Sequence, residues 1–99
     1  MTINKTKKED QLTVAVEGRI DTVTSPELEG SLKESMGDAE KLVIDLKDVD
    51  YISSAGLRVL LATHKKLSEL GGMKIKNVCS DIMDVFEITG FNEILEIEQ

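Results

Sequence analysis

The sequence predicts one α/β domain over residues 1–99, with a mixed, mostly parallel sheet that opens in an N-terminal hairpin and has helices packed on it. Three observations lead there. Short β-branched stretches with a period of two alternate, after an initial pair, with longer stretches whose apolar residues recur every three and four positions. A chain of 99 residues is the size of one domain and buries about two thirds of the surface its unfolded form exposes. No linker, low-complexity tract or internal repeat divides it.

The elements follow in order. "INKTKKEDQ" alternates weakly and carries an acidic turn at Glu9 and Asp10, as an edge strand joined to the next by a hairpin would. "LTVAVE", residues 12–17, sets Leu12, Val14 and Val16 against Thr13, Ala15 and Glu17, which gives a strand one apolar face. In "TSPELEGSLKESMGD", Ser25 suits an N-cap and Pro26 a first helical residue, with Glu27 and Glu29 near the positive helix end. That helix is expected to reach Met36 and stop at Gly37. "KLVIDL", residues 41–46, is almost continuously apolar, the pattern of a central strand covered on both faces or nearly so.

From Ser54, the residues Leu57, Leu60, Leu61, Leu67 and Leu70 keep helical spacing, and Gly71 with Gly72 offers the left-handed residue that ends such helices. "MKIKNV" reads as a strand with Lys74 and Lys76 opposite Ile75, and "DIMDVFEITG" as a helix of Ile82, Val85, Phe86 and Thr89 before a glycine stop. "EILEIE" is a last short strand. Right-handed crossovers make the strands beginning at Leu42, Met73 and Glu93 parallel to one another.

Composition excludes several functions. With no Trp, one Tyr and two Phe there is little to stack on bases, and a net charge of −7 repels phosphate backbones and anionic lipid, so no nucleic acid and no direct membrane insertion are expected. A basic patch on a protein partner is favoured instead. The single cysteine, Cys79, has no basic cluster beside it and reads as packing, and no apolar run suits a signal peptide or a membrane span, which places the protein in the cytoplasm. No metal set is present, because His64 is the only histidine and no second histidine or cysteine lies at ligand spacing. No glycine-rich phosphate loop occurs, so no cofactor is expected.

Attention falls on "YISSAGLRVLL", residues 51–61, where a strand end breaks into a helix. Ser54-Ala55-Gly56 matches half of a nucleophile elbow, but Ile52 stands where the first glycine belongs. The base such chemistry needs would have to be His64, about 15 Å further along the same helix. Catalysis is therefore not expected, unless a second chain donates a base. A serine at a helix N-terminus has two remaining uses. It can cap the helix, or it can accept an anionic group where unpaired N–H groups and the helix dipole favour one.

Asp50 to Leu61 resembles the signature of STAS domains, and the order of elements along nearly the whole chain is similar to that of bacterial anti-sigma factor antagonists. "EGRID", residues 17–21, resembles the family's early Gly-x-x-Asp turn, and the Gly71-Gly72 pair and "FEITGF" agree as well. The resemblance implies partner switching. The unmodified protein binds an anti-sigma factor that is also a serine kinase and so frees a sigma factor; phosphorylation ends the complex, and a phosphatase resets it. The family's acceptor hydroxyl, two positions before the motif glycine, falls on Ser54, with Ser53 the runner-up. Many antagonists have aspartate where this chain has Ser53. The implied partner-binding set is Asp21, Ser53, Ser54, Gly56 and Arg58, although Asp21 also reads as a turn residue and Arg58 as an ordinary solvated side chain. Similar domains carry a last amphipathic helix beyond the final strand, which the residues up to Gln99 do not include, so a less covered sheet is expected there. A non-phosphorylated STAS subunit docked on a membrane transporter or signalling scaffold is the alternative.

Overall fold

The computed structural model describes residues 1–35 and 40–98, so the helix end expected at Met36 and Gly37 lies outside the described residues. Chain order is β1 (Thr2–Lys8), β2 (Gln11–Ile20), α1 (Ser25–Ser35), β3 (Lys41–Ile52), α2 (Ser54–Leu67), β4 (Met73–Lys76), α3 (Ser80–Thr89), a 3₁₀ turn over Phe91–Glu93, and β5 (Glu96–Glu98). The sheet order is β1-β2-β3-β4-β5, antiparallel in the β1/β2 hairpin and parallel throughout the rest. Glu9 turns the hairpin with φ 57°.

Because successive right-handed crossovers all step the same way across the sheet, the three helices lie on one face. Leu28 and Leu32 of α1, Leu57 and Leu60 of α2 and Ile82 and Phe86 of α3 share one core with Val14, Ile44 and Ile75, which the register aligns across β2, β3 and β4. The expectation that β3 is covered on both faces or nearly so holds over Leu42–Ile44, all buried, but only one of the two faces is covered by helices. Leu42, Ile44 and Leu46 face the helices, while Val43 is in register with Thr13 and Lys74 on the opposite, more polar face, where Lys74 pairs with Glu98 at 3.7 Å. A same-direction sheet has only one helical layer to offer.

Two boundaries also differ from the sequence reading. Helix α2 stops at Leu67, and Leu70, 55% exposed, belongs to the turn that follows rather than to the core. Gly72 does take a positive φ of 96°, but after that turn, with its N–H donating to the Leu67 carbonyl. The last strand begins at Glu96, since residues 91–93 form the 3₁₀ turn and leave Ile94 exposed.

Strands β2 and β3 both run beyond the expected segments, to Ile20 and Ile52, and their pairing slips twice. Each slip, between Ala15 and Glu17 and between Gly18 and Arg19, places an extra residue in β3. Gly18 takes φ 109° at the second, a backbone state that disfavours any side chain. The outcome is that Ile20 pairs with Ile52, so β2 and β3 end side by side. That shared end positions the site.

Candidate functional site

The site is built where β3 gives way to α2. Ser53 has extended backbone (φ −92°, ψ 172°) and its hydroxyl accepts from the Gly56 N–H at 3.3 Å, while its carbonyl accepts the Leu57 N–H at 2.9 Å, so Ser53 is the N-cap. Ser54 is the first residue of the helix. It is exposed, and among the described residues its hydroxyl has no hydrogen-bond partner. The two serines thus have separate duties. One is committed to the backbone, and the other is free at the surface.

Gly56 explains how the helix comes so close to the strand ends. A Cβ at this position would lie 2.6 Å from Ile20 Cγ2 and 2.8 Å from Ile52 Cγ1, so the helix start rests directly on the paired isoleucines. Gly56 is buried. It therefore holds Ser54 in place from beneath, while Ser54 and Arg58 face outward.

Asp21 comes to the same place from the other strand. The Ser53 N–H donates to the Ile20 carbonyl at 2.8 Å, which sets the segment after β2 beside the start of α2. The Asp21 carboxylate accepts from the Val23 N–H at 3.0 Å and the Thr24 N–H at 2.9 Å, and Thr24 Oγ1 accepts from the Asp21 N–H at 2.8 Å. This is a reciprocal capping box. It corrects the expectation that Ser25 caps α1: the Ser25 N–H and hydroxyl both donate to the Asp21 carbonyl, so the helical turn is already running there. The carboxyl of Asp21 is held below the usual aspartate value of 3.8 chiefly by the Thr24 N–H, with burial opposing and the Thr24 hydroxyl, the Val23 N–H and Arg19 assisting.

Several neighbours were not singled out in the sequence. Arg19 stacks 4.2 Å from the centroid of the Tyr51 ring and approaches Asp21 at 3.9 Å. Val23 is 82% exposed at the tip of the capping box. The Asp-x-x-Thr spacing of residues 21–24 was a readable signal for the box. The Arg19 and Tyr51 pair was not readable, because it depends on the second slip in register. Arg58 is exposed on α2 and lines a groove of about 340 Å³ between α1 and α2, together with Ser25, Pro26, Glu29 and Ala55.

Cys79 and His64 stay outside the site. Cys79 is a half-buried free thiol near the Val49 carbonyl at the start of α3, and His64 is a boundary residue of α2. Among the described residues no group of histidine, cysteine or acidic side chains could hold a metal ion, and no helix is long and apolar enough to cross a membrane.

The family model for the STAS domain matches residues 2–99. The anti-sigma-B factor antagonist of Bacillus subtilis is 34% identical over 92 residues, covering 92% of this chain and 84% of its own. The crystal structure of an anti-sigma factor antagonist from Mycobacterium paratuberculosis superimposes with a TM-score of 0.89 at 30% identity, covering 97% of this chain and 83% of that one. The Bacillus cell fate determinant SpoIIAA, solved in its phosphorylated form, shares the fold with a TM-score of 0.76 at 12% identity, over 99% of this chain and 92% of its own.

Proposed function

The chain belongs to the STAS domain family, and we propose that within it the protein acts as an anti-sigma factor antagonist whose docking face is switched by phosphorylation of Ser54. In its unmodified form it binds an anti-sigma factor that is also a serine kinase, so releasing a sigma factor. The kinase transfers the γ-phosphoryl of a bound nucleoside triphosphate to Ser54 Oγ; the new O–P bond forms as the bond to the nucleoside diphosphate breaks, and the hydroxyl proton passes to a base of the kinase. A phosphatase restores the hydroxyl. The observation that carries this reading is the exposed, unbonded Ser54 hydroxyl beside a separate serine that does the capping.

Electrostatics makes such a switch effective without refolding. A phosphoserine adds about −1.5 to −2 charges. Against an acidic group about 7 Å away, at an effective dielectric of about 20, each pair of charges costs roughly 2 kcal/mol, which is tenfold or more in affinity. Inside the domain the helix N-terminus offsets part of that cost. A partner surface shaped for a neutral hydroxyl has no such offset and must also desolvate the dianion. Asp21, Ser53 and Arg58 complete the proposed docking face, with Gly56 beneath it.

Affinity capture from the native cells tests the reading. Wild type and Ser54→Ala are expected to retain a small kinase-fold anti-sigma factor, and Ser54→Asp to lose it by tenfold or more. Equal capture by Ser54→Ala and Ser54→Asp would overturn the switch, and capture of a permease in place of the kinase would establish the transporter reading.

A further inference from the structure

The phosphorylated state raises a question that the unmodified fold answers in part: what receives the new charge? Among the described residues Arg58 has no ion pair and no side-chain hydrogen bond, although the acidic Glu29 lines the same groove. Glu29, on α1, is paired with Lys33 at 4.0 Å, and the Asp21 carboxylate is engaged by the backbone of its own turn and by Arg19. Arg58 is four residues after Ser54 on one continuous helix, and both are exposed. Residues at this spacing share a face with Cβ atoms about 5–6 Å apart. Helical side chains lean toward the N-terminus, so Arg58 inclines over the turn that carries Ser54. The order is the favourable one, with the anion N-terminal to the cation. Between them Ala55 is small and Leu57 is turned into the core.

We propose that Arg58 is the intrachain counter-ion of phosphorylated Ser54, its guanidinium fork closing on the phosphoryl oxygens along the surface of α2. The inference rests on the reading of Ser54 as the phosphoacceptor and adds what modification does to the face around it. Phosphorylation then acts twice: it adds negative charge, and it withdraws from the docking face a cation that the unmodified protein leaves free. The planar fork presents two parallel N–H donors in a fixed geometry that matches two phosphoryl oxygens, whereas a lysine ammonium acts as a point charge with no such preset fork.

The test needs neither kinase nor partner. Phosphoserine is placed at position 54 during translation, and the ³¹P resonance is titrated by NMR at low ionic strength in wild type, Arg58→Lys, Arg58→Gln and, as a control of equal charge change at the far end of α2, Lys65→Gln. Loss of the counter-ion is expected to raise the second phosphate pKa by about half a unit in Arg58→Gln, with Arg58→Lys in between and Lys65→Gln unchanged. The difference should shrink as salt is added. Superimposable titrations of wild type and Arg58→Gln would overturn the proposal, as would an equal shift in Lys65→Gln. Neither outcome touches the identity of the acceptor in cells. Conversely, a protein never phosphorylated in its cells would end the partner-switching reading while leaving this titration intact.

Discussion

Alanine substitution at two helical glycines should change stability in opposite directions, because only one of them sits against the sheet. Gly30 is exposed in the interior of α1, and a Cβ there meets nothing within 4 Å. Gly30→Ala should therefore gain the intrinsic helix preference of alanine, about 1 kcal/mol, and raise Tm by about 4–8 °C. Gly56 lies at the start of α2, where the same methyl would stand 2.6 Å from Ile20 Cγ2, 2.8 Å from Ile52 Cγ1 and 3.3 Å from the Ile20 carbonyl oxygen. Ile20 is fully buried and Ile52 5% exposed, so neither has free volume to move into. Overpacking of this kind costs about 1–3 kcal/mol. With three close contacts the upper end applies, which leaves a net loss of about 2 kcal/mol after the propensity gain and a Tm lower by about 8–16 °C. Thermal and urea melts followed by far-ultraviolet circular dichroism measure both. In an Ile20→Ala background, which removes the closest atom, the cost of Gly56→Ala should shrink by a measurable coupling energy. If Gly56→Ala stabilises the protein as Gly30→Ala does, α2 has room above the strand ends and the packing account of the site is wrong.

Other outcomes follow from the same geometry. Ser53→Ala removes the cap of α2 and should cost about 0.5–1 kcal/mol in urea melts, whereas Ser54→Ala, which breaks no hydrogen bond, should stay within about 0.5 kcal/mol of wild type. Asp21 has a lowered pKa, so its contribution to stability is present above the ordinary aspartate value of 3.8 and is lost as pH falls through the native value. The stability gap between wild type and Asp21→Ala should thus be open at neutral pH and narrow only once the pH falls below the ordinary aspartate value of 3.8, and a gap that persists undiminished in strong acid would assign Asp21 some role other than an ionised cap. Phe86→Ala empties a site with 0% exposure at the centre of the core and should cost about 3–5 kcal/mol by the same melts.

The sequence made the elements readable wherever one periodicity ruled. Leu12, Val14 and Val16 announced β2, and Leu57, Leu60 and Leu67 announced α2, because each set buries one face against the same core. The ends were harder. Both β2 and β3 continue through charged residues to Ile20 and Ile52, since parallel pairing satisfies their backbones where side-chain pattern gives no cue. The single helical layer was hidden too, because it follows from the direction in which crossovers step and not from any one segment. At the site, the serine pair and Asp21 were legible as motifs, but their division of labour was not. Which serine caps depends on where the strand stops, and Asp21, rather than Ser25, caps the turn that leads into α1 because its carboxylate reaches the Val23 and Thr24 N–H groups.

The direct measurement of the central claim is site-localised mass spectrometry of the protein taken from its native cells, on the peptide that spans Ser53 and Ser54. The account predicts one phosphoryl group, on Ser54, in a fraction of molecules that changes with growth condition, and none on the capping Ser53. A phosphoryl group found on Ser53 alone, or on neither serine under every condition in which the protein is made, would contradict it.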